Sequence, residues 1–128
     1  MEKELLELLD NAYAPYSNYK VASIVETIDG KTFKGVNVEN ASYGATICAE
    51  RNAINNAITN GYNKNDFKSL HVINASNKIG YPCFICRQTI SEFFDMEVDI
   101  VLYTKDGQKE MMKVKDIINN PFTSENLE

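Results

Sequence analysis

The sequence lacks what three large classes of protein depend on. Basic residues are outnumbered, 13 Lys and Arg against 18 Asp and Glu, for a formal net charge of -5. A polynucleotide track leans on clustered Lys and Arg, so a nucleic acid polymer is not the expected partner. No apolar run approaches the roughly 20 residues needed to span a bilayer, so no membrane partner is expected either. The opening stretch, MEKELLELLDNAY, has acidic residues where a signal peptide has an apolar core, and it lacks a small-residue cleavage site. The cytoplasm is therefore the expected compartment. With only three cysteines there, metal ligands or reactive thiols are expected rather than bridges. Six Gly and three Pro leave no linker, and no repeat or low-complexity segment is visible.

What is present suits a soluble globular fold: 44% apolar and 24% charged residues over 128 positions, read as a single domain covering residues 1–128. Leu5, Leu6, Leu8, Leu9 and Tyr13 give an N-terminal helix that Ala14-Pro15-Tyr16-Ser17 closes. Val21 to Thr27 and Thr32 to Val38 are β-prone runs around Asp29-Gly30, a hairpin signal. Helical spacing returns from Cys48 to about Asn60, with Gly61 at the C-cap, and again from Cys83 to Phe94 after Pro82. Leu70 to Ala75, Val98 to Thr104 and Glu110 to Val114 complete five strands, and Val114 to Asn120 turns helical before Pro121. The order predicts an α/β fold, a three-layer α/β/α sandwich with a mixed five-stranded sheet.

All three cysteines fall at helix starts, where partial positive charge and free N–H groups favour the thiolate. Cys83 and Cys86, three apart, share a face. Cys48 joins them if both helices begin at one sheet edge. Three thiolates leave one tetrahedral position open, the mark of a catalytic rather than a structural zinc site. Glu50 is two residues from Cys48 and shares its site only where the helix begins close to Cys48. A carboxylate there can move protons, a contribution of roughly 10²- to 10⁴-fold. Three thiolates around a dication leave excess negative charge, so Arg51 and Arg87 are expected to donate to the sulfurs, Arg51 more strongly.

Cys48-Ala49-Glu50-Arg51 followed by Pro82-Cys83-Phe84-Ile85-Cys86-Arg87-Gln88 resembles the motif pair of the cytidine deaminases, in the branch of small homotetrameric enzymes where cysteine replaces the first histidine ligand. The likeness extends through Ala14-Pro15-Tyr16-Ser17 and Asn37-Val38-Glu39-Asn40-Ala41-Ser42-Tyr43-Gly44. It implies one Zn²⁺ per subunit on Cys48, Cys83 and Cys86, with Glu50 working on ring N3 and on the departing amine. It implies hydrolytic deamination of cytidine and deoxycytidine to uridine and deoxyuridine, releasing ammonia, in pyrimidine salvage. By the same resemblance Asn37 and Glu39 bind the sugar hydroxyl, the Ala49 N–H meets the pyrimidine O2, and Tyr43 and Phe122 reach neighbouring subunits' sites within a homotetramer.

The sequence departs from that pattern. Tyr19 stands where the family usually has a Phe touching the pyrimidine, Lys20-Val21-Ala22 replaces Pro-Val-Gly, and Phe84-Ile85 fills a dipeptide usually made of small residues. Val21-Ala22-Ser23 resembles a segment of blasticidin S deaminase, which makes another aminated heterocycle the alternative substrate, although that class lacks the Asn37-to-Ala41 string. Two other classes are weighed against these: a metal-free dithiol built on Cys83 and Cys86, and a closed structural site with His71 as fourth ligand. His71 stands beside Val72-Ile73 on a strand, where a satisfied or exposed histidine is the commoner case.

Overall fold

Strand-forming residues decide the centre of the molecule. In the computed structural model, which describes residues 1–128, Val21–Thr27 (β1) and Thr32–Val36 (β2) pair antiparallel around Asp29-Gly30, with Ala22 opposite Val36 and Val25 opposite Phe33. Phe67–Asn74 (β3) pairs antiparallel on the other side of β1, Asp99–Thr104 (β4) runs parallel to β3, and Lys109–Lys113 (β5) returns antiparallel. The strand order is β2-β1-β3-β4-β5. A parallel pair needs a long crossover, and the segment between β3 and β4 supplies one with a helix, Phe84–Phe93.

Glu2–Leu9 (α1) covers one sheet face, burying Leu5 and Leu9 against Ala22, Ile24, Ile73, Val101 and Tyr103. Ala49–Thr59 (α2), Phe84–Phe93 (α3) and the single turn Val114–Ile117 (α4) lie on the other, where Ile54, Ile90, Leu70, Ile100 and Leu102 are almost wholly buried. Each such side chain stabilises the fold by about 1.5–3 kcal/mol relative to leaving it in water. This is the expected three-layer sandwich. Helix α2 approaches the hairpin so closely that a Cβ on Gly35 would stand 2.4 Å from Ala53 N and 2.5 Å from Ala49 O. Only glycine lets the Glu50-bearing helix sit there. No helix is long and apolar enough to cross a membrane.

Several boundaries move, each for a polar reason. The first helix ends at Leu9 because Tyr13 pairs its backbone with Asn37 and Glu39 instead of continuing the turn. Strand β2 stops at Val36, not Val38, since the Asn37 amide turns back to Val21 N and Tyr19 O. Strand β3 starts three residues early, at Phe67, where exposed Lys68 and buried Ser69 obscure the apolar alternation. The last helix is one turn, ending where Ile117 O accepts from Arg87.

The single histidine sits on the α1 face, in a polar row between Ser69 (Nε2 to Oγ, 3.0 Å) and Tyr103 (Nδ1 to Oη, 3.0 Å), with Ser69 Oγ also 3.1 Å from Glu26. That is away from the cysteines. Burial holds its pKa below the ordinary value, aided by the N-terminus and Lys109 and opposed by Glu26 and Asp99. The folded state therefore disfavours the protonated ring. Its contribution to stability is complete above about pH 6.5 and is lost as pH falls through the depressed folded value, because the unfolded chain then binds the extra proton. Proton NMR should give a titration midpoint below about 6.5 for this one imidazole. A midpoint above that value would show the row favouring imidazolium.

Candidate functional site

Helix starts place the sulfurs. Cys48 is the N-cap of α2 and Cys83 the N-cap of α3, both with extended backbone, and Cys86 lies in the first turn of α3, whose N–H reaches Cys83 Sγ at 3.4 Å. Both helices begin at the same end of the sheet, so Cys48 Sγ comes to 3.7 Å from Cys83 Sγ and all three sulfurs lie within 4.8 Å of one another. A tetrahedral zinc with bonds of about 2.3 Å requires sulfurs roughly 3.8 Å apart. The donor set fits that ion and leaves one corner for a small ligand. His71 is not among the clustered ligands, so no fourth protein donor closes the cage.

The thiols are unequal before any cation is considered. A hydrogen bond from Cys86, with others from Arg51 and Cys83, draws the Cys48 thiol down to about 5 against its burial. The same contact with Cys48, together with burial, pushes Cys86 up. Arg51 Nη2 lies 3.7 Å from Cys48 Sγ and 3.5 Å from Thr46 O, while its buried Nε has no partner. Arg87 turns elsewhere: Nε donates to Pro82 O at 2.7 Å, Nη1 to Ile117 O at 3.0 Å, and the guanidinium lies 4.4 Å from the Phe84 ring centroid. The expected Arg87–sulfur contact is not made; the guanidinium is held by these two carbonyls instead. Gln88 adds a third link, to Phe122 O at 2.9 Å.

Beside the sulfurs opens a cavity of about 290 Å³, lined by Tyr19, Asn37, Glu39, Cys48, Glu50 and Tyr81 among others. Glu50 is 5% exposed and takes no hydrogen bond from another side chain. Burial pushes its carboxyl up to about 7, with its own backbone N–H and Arg51 opposing and the Cys48 charge assisting. Such a group can hold or release a proton near neutrality. Ala49, the first helical residue of α2, lines the same cavity, and at that position a helix leaves its N–H without an internal partner.

Asn37 accepts from Val21 N at 2.9 Å and donates to Tyr19 O at 2.8 Å, which leaves one amide hydrogen for a ligand. Glu39 accepts from Tyr16 N at 2.9 Å, Ser17 N at 3.1 Å and the Ser17 hydroxyl. The Ser17 bonds hold its carboxyl below the usual range. It forms a wall between the inner cavity and an outer hollow of about 360 Å³ bounded by Tyr16 and Tyr43. Tyr43 is 75% exposed on that outer side, and Phe122, 56% exposed, lies in a crevice against Phe84 and Gln88 rather than in this chain's own cavity. Sequence reasoning gave no role to Ser17, Asn74 or Gly80, which also line the cavity. Ser17 closes the Ala14-Pro15-Tyr16-Ser17 motif, while Asn74 and Gly80 carry no local signal.

A family profile for the cytidine and deoxycytidylate deaminase zinc-binding region matches residues 1–102. A cytidine deaminase of Mycoplasma genitalium is 35% identical over 120 residues, covering 94% of this chain and 91% of that protein. One from Halalkalibacterium halodurans is 32% identical over 125 residues, covering 98% and 93%. The crystal structure of cytidine deaminase from Burkholderia pseudomallei superposes with a TM-score of 0.86 at 36% identity, covering 95% of this chain and 99% of that one.

Proposed function

Because the chain belongs to the cytidine and deoxycytidylate deaminase family, we propose that it hydrolyses cytidine and deoxycytidine to uridine and deoxyuridine with release of ammonia. The observation that carries this reading is the buried Glu50 carboxyl, free of other side chains, beside three convergent sulfurs and an open cavity. Cys48, Cys83 and Cys86 would hold one Zn²⁺ per subunit, which when bound supplies a Lewis acid that makes water nucleophilic at neutral pH. Glu50 takes a proton from the attacking water and passes it to ring N3, then takes a second from the new C4 hydroxyl and gives it to the amine as it departs. The Ala49 N–H meets O2 of the base and fixes the ring's orientation, while Asn37 and Glu39 receive the sugar hydroxyl. Arg51 and the two helix N-termini offset the thiolate charge. Arg87 instead ties the loop before Cys83 to the C-terminal segment.

The exposed rings of Tyr43 and Phe122 support a homotetramer in which each completes a neighbour's site. Family membership supports a place in pyrimidine salvage, in the cytoplasm. Neither hollow is lined by Lys or Arg, and both present the Glu39 carboxylate. A nucleotide phosphate would meet like charge, which costs several kcal/mol. Cytidine and deoxycytidine are expected to be turned over at least about 100-fold more efficiently than dCMP, followed by the absorbance change on deamination with blasticidin S as a further substrate. Preferential turnover of dCMP would sink the nucleoside assignment.

A further inference from the structure

One cavity wall contains a glycine that its own backbone does not demand. Gly80 precedes Tyr81-Pro82 and is not among the positive-φ glycines. A Cβ built on it, however, would stand 2.6 Å from the Tyr19 hydroxyl and 2.9 Å from Asn74 Nδ2, well inside van der Waals contact. The space at residue 80 is therefore set by neighbouring side chains rather than by torsion angles.

Of those neighbours, only one can yield. Asn74 is 3% exposed, accepts from Ser76 N at 2.8 Å and Ser76 Oγ at 2.7 Å, and donates to Lys78 O at 3.1 Å. Its amide is pinned by the loop it organises. The backbone of Tyr19 is pinned as well, its N–H by Ser17 Oγ at 3.0 Å and its carbonyl by Asn37 at 2.8 Å. Its ring is partly exposed and lines the cavity that also holds Glu50 and Cys83. A methyl at residue 80 would push that ring, on a fixed backbone, out of its place in the cavity wall.

We infer that Gly80 is the socket for the Tyr19 hydroxyl, and that the two form a positioning pair setting the width of the cavity where the base approaches Glu50. The inference rests on the proposed deaminase reading. With the hydroxyl seated beside Gly80, the ring lies back and the heterocycle has room. With the socket filled, the ring occupies space the substrate needs, and the base binds less well while the proton-transfer groups stay in place.

The test is a double-substitution cycle on the zinc-loaded full chain: Gly80→Ala, Tyr19→Phe and both together. KM and kcat for cytidine are measured beside zinc content and melting temperature. Gly80→Ala alone is expected to raise KM by roughly tenfold or more, with kcat changing less. Made in a chain already carrying Tyr19→Phe, the same change should cost at least about threefold less than in the parent, because the oxygen at 2.6 Å is gone and only the Asn74 contact at 2.9 Å remains. Equal cost in both backgrounds overturns the pair, as does a loss that follows reduced zinc or a lowered melting temperature. A parent protein that leaves cytidine unchanged overturns the functional reading and this assignment together, whereas equal costs in an active parent overturn the pair alone.

Discussion

Glu50→Gln is expected to cut kcat by at least the roughly 10²- to 10⁴-fold that a positioned acid–base group contributes, with zinc still bound at one per chain. The amide keeps the volume of the carboxyl and leaves the three sulfurs untouched, so folding and metal content act as internal controls. The size of the effect follows from the surroundings. Glu50 is 5% exposed and takes a hydrogen bond from its own backbone N–H but none from another side chain, so the amide disturbs little else. Because proton transfer to the ring and to the amine both pass through this one carboxyl, KM should change far less than kcat. A variant retaining a tenth of parental turnover would place the proton transfers elsewhere in the cavity and overturn the role given to Glu50.

The second large effect is expected at the sulfurs. Cys48→Ser or Cys83→Ser should release zinc to a chelator that leaves the parent loaded, with deamination falling to background. Outer partners of metal ligands cost about 10- to 100-fold in affinity, and loss of a direct ligand should exceed that. Cys86→Ser should in addition lower the melting temperature, since Cys86 is fully buried in the first turn of α3 while Cys83 is exposed. Elemental analysis of the purified variants beside an activity assay decides the matter. His71→Ala is the control: it lies in the Ser69–Tyr103 row, and zinc should survive its loss. Full zinc retention by Cys48→Ser would show that the cage does not need that helix.

The convergence of Cys48, Cys83, Cys86 and Glu50 was legible because short covalent spacing and the geometry of a helix start constrain it strongly. A cysteine at an N-cap and a glutamate in the same first turn have few places to point. Arg87 was not legible in the same way. Its neighbour in sequence is a sulfur ligand, but its partners are Pro82 O and Ile117 O, the second thirty residues further along. Whether a guanidinium turns to a thiolate or to a carbonyl depends on where a distant segment passes, and periodicity says nothing about that. Asn37 shows the intermediate case. Its motif marks it as a cavity residue, yet most of its hydrogen-bonding capacity goes to Tyr19 and Val21, ending β2 two residues early. The socket at Gly80 was invisible for a further reason, since an absent side chain acquires meaning only once the atoms around it are known.

The grip of Arg87 and Gln88 on the tail has a practical consequence. One guanidinium is stitched to the carbonyl directly ahead of Cys83 and to the carbonyl that ends α4, and the next residue holds Phe122. Strain applied to the last dozen residues, by truncation or by a bulky fusion partner, is thus delivered to the strand of chain that presents a metal donor. An affinity handle belongs at the opposite terminus, beyond α1, on the far side of the sheet from the sulfurs.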